Sequence, residues 1–248
     1  MPDKYFKKTY DIRAYECDYK GRVSPLSVFN FMQDMASLHA DVLGFSVQTL
    51  MQQKMTWVLS RIHLKFTGMI CWGEKLLGRT WPSGTQGNYA LRDFHLVNTR
   101  KQSIAVGTSS WMIIDLEKRK PLKFEKVLDM SRIVNLERAL LDDFLPLPPL
   151  DSYDSEKKFH VRYTDLDVNR HVNHVAYIEW GLEAIPESVL LKAYPVEIEV
   201  GYRQEVYYND LIFSRAKQVV NADIPTFHHQ IFSEKTGAEI ARMRTKWK

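Results

Sequence analysis

An internal repeat constrains this chain more than any other feature. Trp111 and Trp247, Ile104-Ala105 and Ile240-Ala241, Arg79 and Arg215, and the triplets Ile62, Leu64, Phe66 and Ile198, Val200, Tyr202 all stand at one offset (247 − 111 = 136). Upstream the offset widens: Ser24 matches Asn173 (173 − 24 = 149), so the first copy carries about a dozen extra residues between its helix and its first long strand. A constant spacing over so many positions marks one structural unit used twice. The copies join at Leu145-Pro146-Leu147-Pro148-Pro149-Leu150, where proline can continue neither a helix nor a central strand. The expected organisation is an N-terminal unit over 1–144, a linker over 145–156 and a C-terminal unit over 157–248.

Each copy presents its elements in the same order. Ser24 is placed to cap a helix with Pro25 at its first position and Gly44 as its stop. Between them Leu26, Phe29, Phe31, Met32, Met35, Leu38, Val42 and Leu43 leave little polar surface, so this helix should be enclosed on most sides. In the second copy Asn173 is the expected cap and Pro186 the end, with Val175, Ala176, Tyr177, Ile178, Trp180, Leu182 and Ile185 apolar in between. Both helices precede runs of period two, Arg61-Ile62-His63-Leu64-Lys65-Phe66 and Glu197-Ile198-Glu199-Val200-Gly201-Tyr202, which predict strands with one apolar and one wet face. Further strands are expected near 76–81, 91–97, 105–114, 211–219, 227–232 and 240–247. The fold class is α+β: a long buried helix wrapped by an antiparallel sheet, in duplicate.

With 248 residues, 45% hydrophobic and 26% charged, the chain has ample length for a sizeable core. A net charge of +4 is too small and too dispersed to indicate nucleic acid, though a local basic face could receive an acidic partner. The start, Met1-Pro2-Asp3-Lys4-Tyr5-Phe6, lacks the apolar stretch of a secretory signal and no later run reaches bilayer length, so a cytoplasmic protein without membrane insertion is expected. Cys17 and Cys71 have no metal or redox spacing and are expected to be buried free thiols.

One stretch has residue types suited to chemistry: Asp165-Leu166-Asp167-Val168-Asn169-Arg170-His171-Val172-Asn173. In an extended segment Asp167, Asn169 and His171 project to one side and can converge on a small volume. The following helix would offer unpaired amides to a developing negative charge. A metal site from Asp165, Asp167, His171 and His174 is conceivable but disfavoured, because nothing else supplies fixed ligand spacing. His228 and His229 have no motif around them and are expected on an exposed strand, and Glu117-Lys118-Arg119-Lys120 in a solvated turn.

Three segments carry a family resemblance. They are Thr56-Trp57-Val58-Leu59-Ser60-Arg61-Ile62-His63-Leu64-Lys65 with Trp72-Gly73-Glu74, Asn88-Tyr89-Ala90-Leu91-Arg92-Asp93 with Ser109-Ser110-Trp111-Met112, and 165–173 with Tyr177-Ile178-Glu179-Trp180. Together they resemble the acyl-acyl carrier protein (acyl-ACP) thioesterases, the plant plastid enzymes and their bacterial relatives. The resemblance implies a tandem, or double, hotdog fold and hydrolysis of fatty acyl-ACP. It further implies no metal, no organic cofactor, acyl carrier protein as partner, and a homodimer, although two units in one chain also suit a monomer. The lack of a plastid transit extension in this sequence favours a bacterial-type member. The family's catalytic Asp, Asn and His fall on Asp167, Asn169 and His171, and its catalytic Glu on Glu205. Where the family often has a cysteine after that Glu, this chain has Val206, which excludes a thiol nucleophile there.

The two offsets place Asp18, Lys20, Arg22 and Met69 opposite Asp167, Asn169, His171 and Glu205, so only the Asp survives in the first copy. One active site per chain is expected, with the first unit holding the acyl chain and Met32, Met35 and Trp57 contacting it. Thioester hydrolysis suits these residue types, since a thiol of pKa about 8.5 leaves with little acid assistance and the demands are an activated water and a polarised carbonyl. Glu205 or His171 would take the water's proton, Asp167 would orient the pair or compete for the water, and Asn169 would fix the water or the thioester. Tyr202, Tyr207 and Tyr208 are expected to desolvate Glu205. The rival readings are an acyl-CoA thioesterase, a non-catalytic acyl-carrier binding protein and a hotdog hydratase.

Overall fold

The structure is a computed structural model that describes residues 5–123, 127, 133–168 and 170–248. The chain folds as two units, Met1–Asp143 and Phe144–Lys248.

The first unit opens with β1 (Phe6–Asp11), followed by α1 (Pro25–Val42) and the short α2 (Val47–Gln52). Ser24 caps α1 by accepting the Ser27 amide proton at 3.1 Å, and Gly44, at φ +80°, takes the left-handed conformation just past the helix end. β2 (Met55–Phe66), β3 (Lys75–Gln86), β4 (Tyr89–Asn98) and β5 (Ser103–Asp115) complete an antiparallel sheet in the order β1-β3-β4-β5-β2, with β6 (Lys120–Pro121) on β5.

The second unit holds β7 (Ser155–His160), α3 (His174–Glu183), α4 (Glu187–Leu190), β8 (Pro195–Tyr202), β9 (Leu211–Gln218), β10 (Thr226–Ser233) and β11 (Glu239–Trp247). Its sheet runs β7-β9-β10-β11-β8, the same order as the first once each strand is matched to its counterpart. β7 begins inside the stretch 145–156 expected to be linker.

The repeat is preserved at the level of hydrogen-bond register. Ile62 faces Ser109, Leu64 faces Gly107 and Phe66 faces Ala105; the same offset gives Ile198 facing Thr245, Val200 facing Met243 and Tyr202 facing Ala241. The wider upstream offset holds too, since Lys8 faces Gly78 as Lys157 faces Ser214. A one-residue slip would turn every inward side chain outward, so common register means a common inner face.

Helix packing shows how the copies diverged without losing that face. In the first unit Met32 of α1 lies over Gly107 of β5, where a Cβ would stand 2.9 Å from the Met32 Cε. In the second unit the pair is exchanged: Gly181 lies in α3 at the Met32 position, and Met243 of β11 fills the space with a Cε that a Cβ at 181 would strike. Bulk has moved from helix to strand and the close approach is retained.

Several expectations are corrected. Leu38 and Val42 are 38% and 64% exposed, so the far turns of α1 leave the core that Phe29, Phe31, Met32 and Met35 enter. Cys17 and Cys71 are free thiols but not buried ones: Cys17 is half-buried and Cys71 exposed. The alternating charged faces are not wet, because Glu199 is 4% exposed and pairs with Arg244 at 2.7 Å, Glu197 pairs with Lys246 at 3.2 Å, and His63 pairs with Asp142 at 2.5 Å. Nor is His229 on an exposed face; it is 1% exposed, with Nε2 2.9 Å from the Thr245 hydroxyl. The edge strands β1 and β7 lack a clear sequence signal because Lys7, Lys8, Lys157 and Lys158 break their apolar alternation, as suits strands that must not recruit a neighbour.

Two outcomes follow from this packing. Gly181→Met and Met243→Gly should each lower unfolding stability by about 1–3 kcal/mol or more, while the double variant, which copies the first unit's arrangement, should lose less than their sum; strict additivity in urea unfolding would refute the exchange. Trp247 Nε1 donates to the Thr245 hydroxyl, which also lies 2.9 Å from His229 Nε2, and burial pushes His229 down to about 3. Between that value and about 6.5 in the unfolded chain the unfolded state binds more protons, so stability falls as pH falls through this window. The stability deficit of His229→Gln should therefore shrink from pH 7.5 to pH 5; a constant deficit would show that His229 does not titrate this way.

Candidate active site

The described residues of the stretch 163–173 form a closed loop rather than an extended segment. Tyr163–Asp165 make one turn of 3-10 helix, anchored where the Arg162 amide donates to Asp165 Oδ2 at 2.8 Å and its guanidinium meets Oδ1 at 2.8 Å. Leu166 then bridges Val172, the Asp167 amide donates to the His171 carbonyl at 2.8 Å, and the Arg170 amide donates back to the Asp167 carbonyl at 3.0 Å. Arg170 completes this turn at φ +64°, a conformation that L residues other than Asn and Asp seldom adopt. Asp167 and His171 are thus brought together by a turn and not by strand alternation. Asn169 lies outside the described residues.

A second segment meets the loop from the exit of β8. The Val172 amide donates to the Val206 carbonyl at 3.0 Å, and Val206 points into the core, 1% exposed. Its neighbour Glu205 consequently faces the loop, with Oε1 3.7 Å from His171 Nδ1. The Tyr207 hydroxyl donates to Glu205 Oε2 at 3.1 Å, and the Tyr207 and His171 rings meet edge to face, centroids 5.2 Å apart. The expected desolvation of Glu205 is not built: its side chain keeps 40% of its exposure, and Tyr207 and Tyr208 are themselves 45% and 57% exposed. A side chain at 206 faces inward, away from any reacting group.

Beneath the loop, α3 begins at an Asn173 cap whose Oδ1 accepts the Val175 amide proton at 3.0 Å, so that amide is already committed. Tyr177, one turn into the helix, donates to the Gln204 carbonyl at 3.3 Å. Burial raises its pKa, and the negative fields of Glu205 and Asp167 raise it further, which keeps its hydroxyl protonated. His174 is pushed down to about 4 by burial and is neutral near pH 7. Asp165, one of the side chains with metal-ligand chemistry, is committed to Arg162.

The first unit repeats the scaffold of this site with different side chains. The Asp18 amide donates to the Arg22 carbonyl at 2.7 Å, the Gly21 amide donates to the Asp18 carbonyl at 2.9 Å, and the Val23 amide donates to the Ile70 carbonyl at 2.9 Å, each at the place of its counterpart. There the Arg22 guanidinium closes on the Asp18 carboxylate at 2.7 Å, and Met69, 59% exposed, stands where Glu205 stands in the second unit. The first copy thus carries an ion pair and a thioether where the second carries an imidazole and a carboxylate.

The residues expected to contact an acyl chain all lie in the first unit. Met32 and Met35 are fully buried, Met35 against Gly78 of β3. Trp57 on β2 is half-buried, donates Nε1 to the Phe45 carbonyl at 2.8 Å, and packs with Leu50, Ala90 and Ile113.

Comparison with known proteins agrees with this architecture. A 12:0-ACP thioesterase structure from Umbellularia californica superposes with a TM-score of 0.89 at 24% identity, covering 100% of this chain and 98% of the other. An acyl-ACP thioesterase structure from Bacteroides thetaiotaomicron gives 0.88 at 23% identity, with 99% and 98% covered. The fold is therefore the double hotdog. The acyl-ACP thioesterase N-terminal domain model matches residues 3–129 and the C-terminal domain model residues 150–248, and the chain belongs to the acyl-ACP thioesterase family, a family of thioester hydrolases.

Among curated relatives, a chloroplastic oleoyl-acyl carrier protein thioesterase of Coriandrum sativum is 25% identical over 98% of this chain and 76% of its own length. A chloroplastic acyl-[acyl-carrier-protein] hydrolase of Cuphea viscosissima is 28% identical over 98% of this chain, which spans 62% of that relative. Among the described residues, no helix is long and apolar enough to cross a membrane.

The turn at Arg170 yields a direct check. Arg170→Gly, which installs the residue found at the matching Gly21, should leave the melting temperature within a few degrees of the parent, whereas Arg170→Val should lower it, because a β-branched residue strains at positive φ by about 1–2 kcal/mol. Equal melting temperatures for the two variants would contradict the observed loop.

Proposed function

We propose that this chain hydrolyses the thioester of fatty acyl-ACP, releasing free fatty acid and holo-ACP, at Asp167, Asn169, His171 and Glu205 of the second unit. The observation that carries the reading is the His171–Glu205 pair, 3.7 Å apart where the loop meets the segment after β8, a junction whose duplicate in the first unit retains neither residue. The family match across both halves supports the substrate class, as do relatives named for oleoyl-acyl carrier protein and acyl-[acyl-carrier-protein] substrates.

In this mechanism the Glu205–His171 pair takes a proton from the attacking water as its oxygen bonds to the thioester carbon. The tetrahedral intermediate collapses with cleavage of the C–S bond, and the pair returns the proton to the departing thiolate. Their separation is beyond direct hydrogen-bond range, as is common before substrate tightens a catalytic pair. Asp167 orients the pair from the adjacent turn, and Asn169 holds the water or the thioester with its amide. The first unit, having lost proton-transfer chemistry, accommodates the acyl chain against Met32, Met35 and Trp57.

Glu205→Gln and His171→Ala should each lower kcat on acyl-ACP by about a hundredfold or more, measured as release of the carrier thiol. Near-parental rates in Asp167→Ala, His171→Ala and Glu205→Gln together would overturn the site. The ratio of kcat/KM for matched acyl-ACP and acyl-CoA decides the carrier. Because the carrier is acidic, KM for acyl-ACP should rise with added salt; preference for acyl-CoA and no salt effect would favour the acyl-CoA reading.

A further inference from the structure

Resting on the reading that Glu205 and His171 carry the reaction, we infer that Tyr207 is the positioning residue of the pair, its hydroxyl holding the carboxylate and its ring bracing the imidazole. Val206 points inward, and Glu205 and Tyr207, on either side of it, emerge toward the loop. The Tyr207 hydroxyl donates to Oε2 of Glu205 at 3.1 Å, which turns Oε1 toward His171 Nδ1. The same ring meets the imidazole edge to face, with 84° between planes. One side chain therefore touches both members of the pair.

The tyrosine is itself held by its backbone. Its amide donates to Asp210 Oδ2 at 3.0 Å, and the preceding Val206 carbonyl receives the Val172 amide at 3.0 Å. An exposed glutamate otherwise divides its time among several rotamers, and ordering it in advance lowers the entropic cost of reaching a reactive geometry. A tyrosine, with only two side-chain torsions, is an economical brace.

The first unit supplies an independent comparison. There Ile70, 2% exposed, accepts the Val23 amide as Val206 accepts that of Val172, so the backbone anchor is the same in both copies. Cys71 occupies the place of Tyr207, beside Met69 in the place of Glu205 and Arg22 in the place of His171. A tyrosine required only to maintain this corner of the fold would be required twice. It is present only where the glutamate and histidine are.

Tyr207→Phe removes one oxygen atom from an exposed position and keeps the ring. Its kcat on acyl-ACP should fall about tenfold, the scale of one charge-assisted hydrogen bond, with KM within about twofold of the parent. Tyr207→Ala, which also removes the brace on His171, should fall further. In a Glu205→Gln background the Tyr207→Phe change should cost less than about twofold, because its effect passes through the carboxylate. A parental kcat for Tyr207→Phe alongside a disabled Glu205→Gln would overturn the inference and leave the catalytic pair standing. Independent, multiplying losses would also overturn it, by placing the action of Tyr207 elsewhere. A parental rate for Glu205→Gln would remove the pair and the inference with it.

Discussion

Each unit depends on burying one helix against the inner face of an antiparallel sheet, and close approach at that contact requires a side chain to be absent on one partner. Met32 over Gly107 and Met243 over Gly181 are two solutions to the same volume constraint. A close-packed interior admits such an exchange only when both positions change together. That explains how two copies of a fold drift far apart in sequence while Ile62 and Ser109 keep the register of Ile198 and Thr245.

The preserved frame extends to the loop before each helix, although the side chains it carries differ. Backbone hydrogen bonds anchor both loops alike, from Val23 to Ile70 and from Val172 to Val206, while the side chains at the tip differ. In the second unit those positions bear an imidazole facing a carboxylate. In the first an arginine closes on the loop's own aspartate. A shared set of backbone hydrogen bonds thus carries different side chains in the two copies, a common scaffold with different residues upon it.

The sequence misled where charge was taken as a sign of solvent. Arg61-Ile62-His63-Leu64 and Glu197-Ile198-Glu199-Val200 alternate as a half-exposed strand should, yet His63 and Glu199 are buried against Asp142 and Arg244. Burial of a charge such as that of Glu199 is tolerable when a partner of opposite charge, here Arg244, is fixed beside it, and such partners come from residues distant in the chain. His229 follows the same logic in neutral form, since a buried imidazole hydrogen-bonded to a hydroxyl avoids the cost of carrying charge.

By itself, the sequence determined the duplication, the order of elements and the Ser24 and Asn173 caps, because these rest on spacing, periodicity and local capping chemistry; the family came from the resemblance of three motif segments. That resemblance also pointed to His171 and Glu205. Only the tertiary structure decided that Asp167 and His171 meet through a turn at positive φ, that Glu205 remains exposed, and that Tyr207 touches both members of the pair. These are facts of placement: the segments around 171 and 205 lie apart along the chain and are joined by the hydrogen bond from the Val172 amide to the Val206 carbonyl.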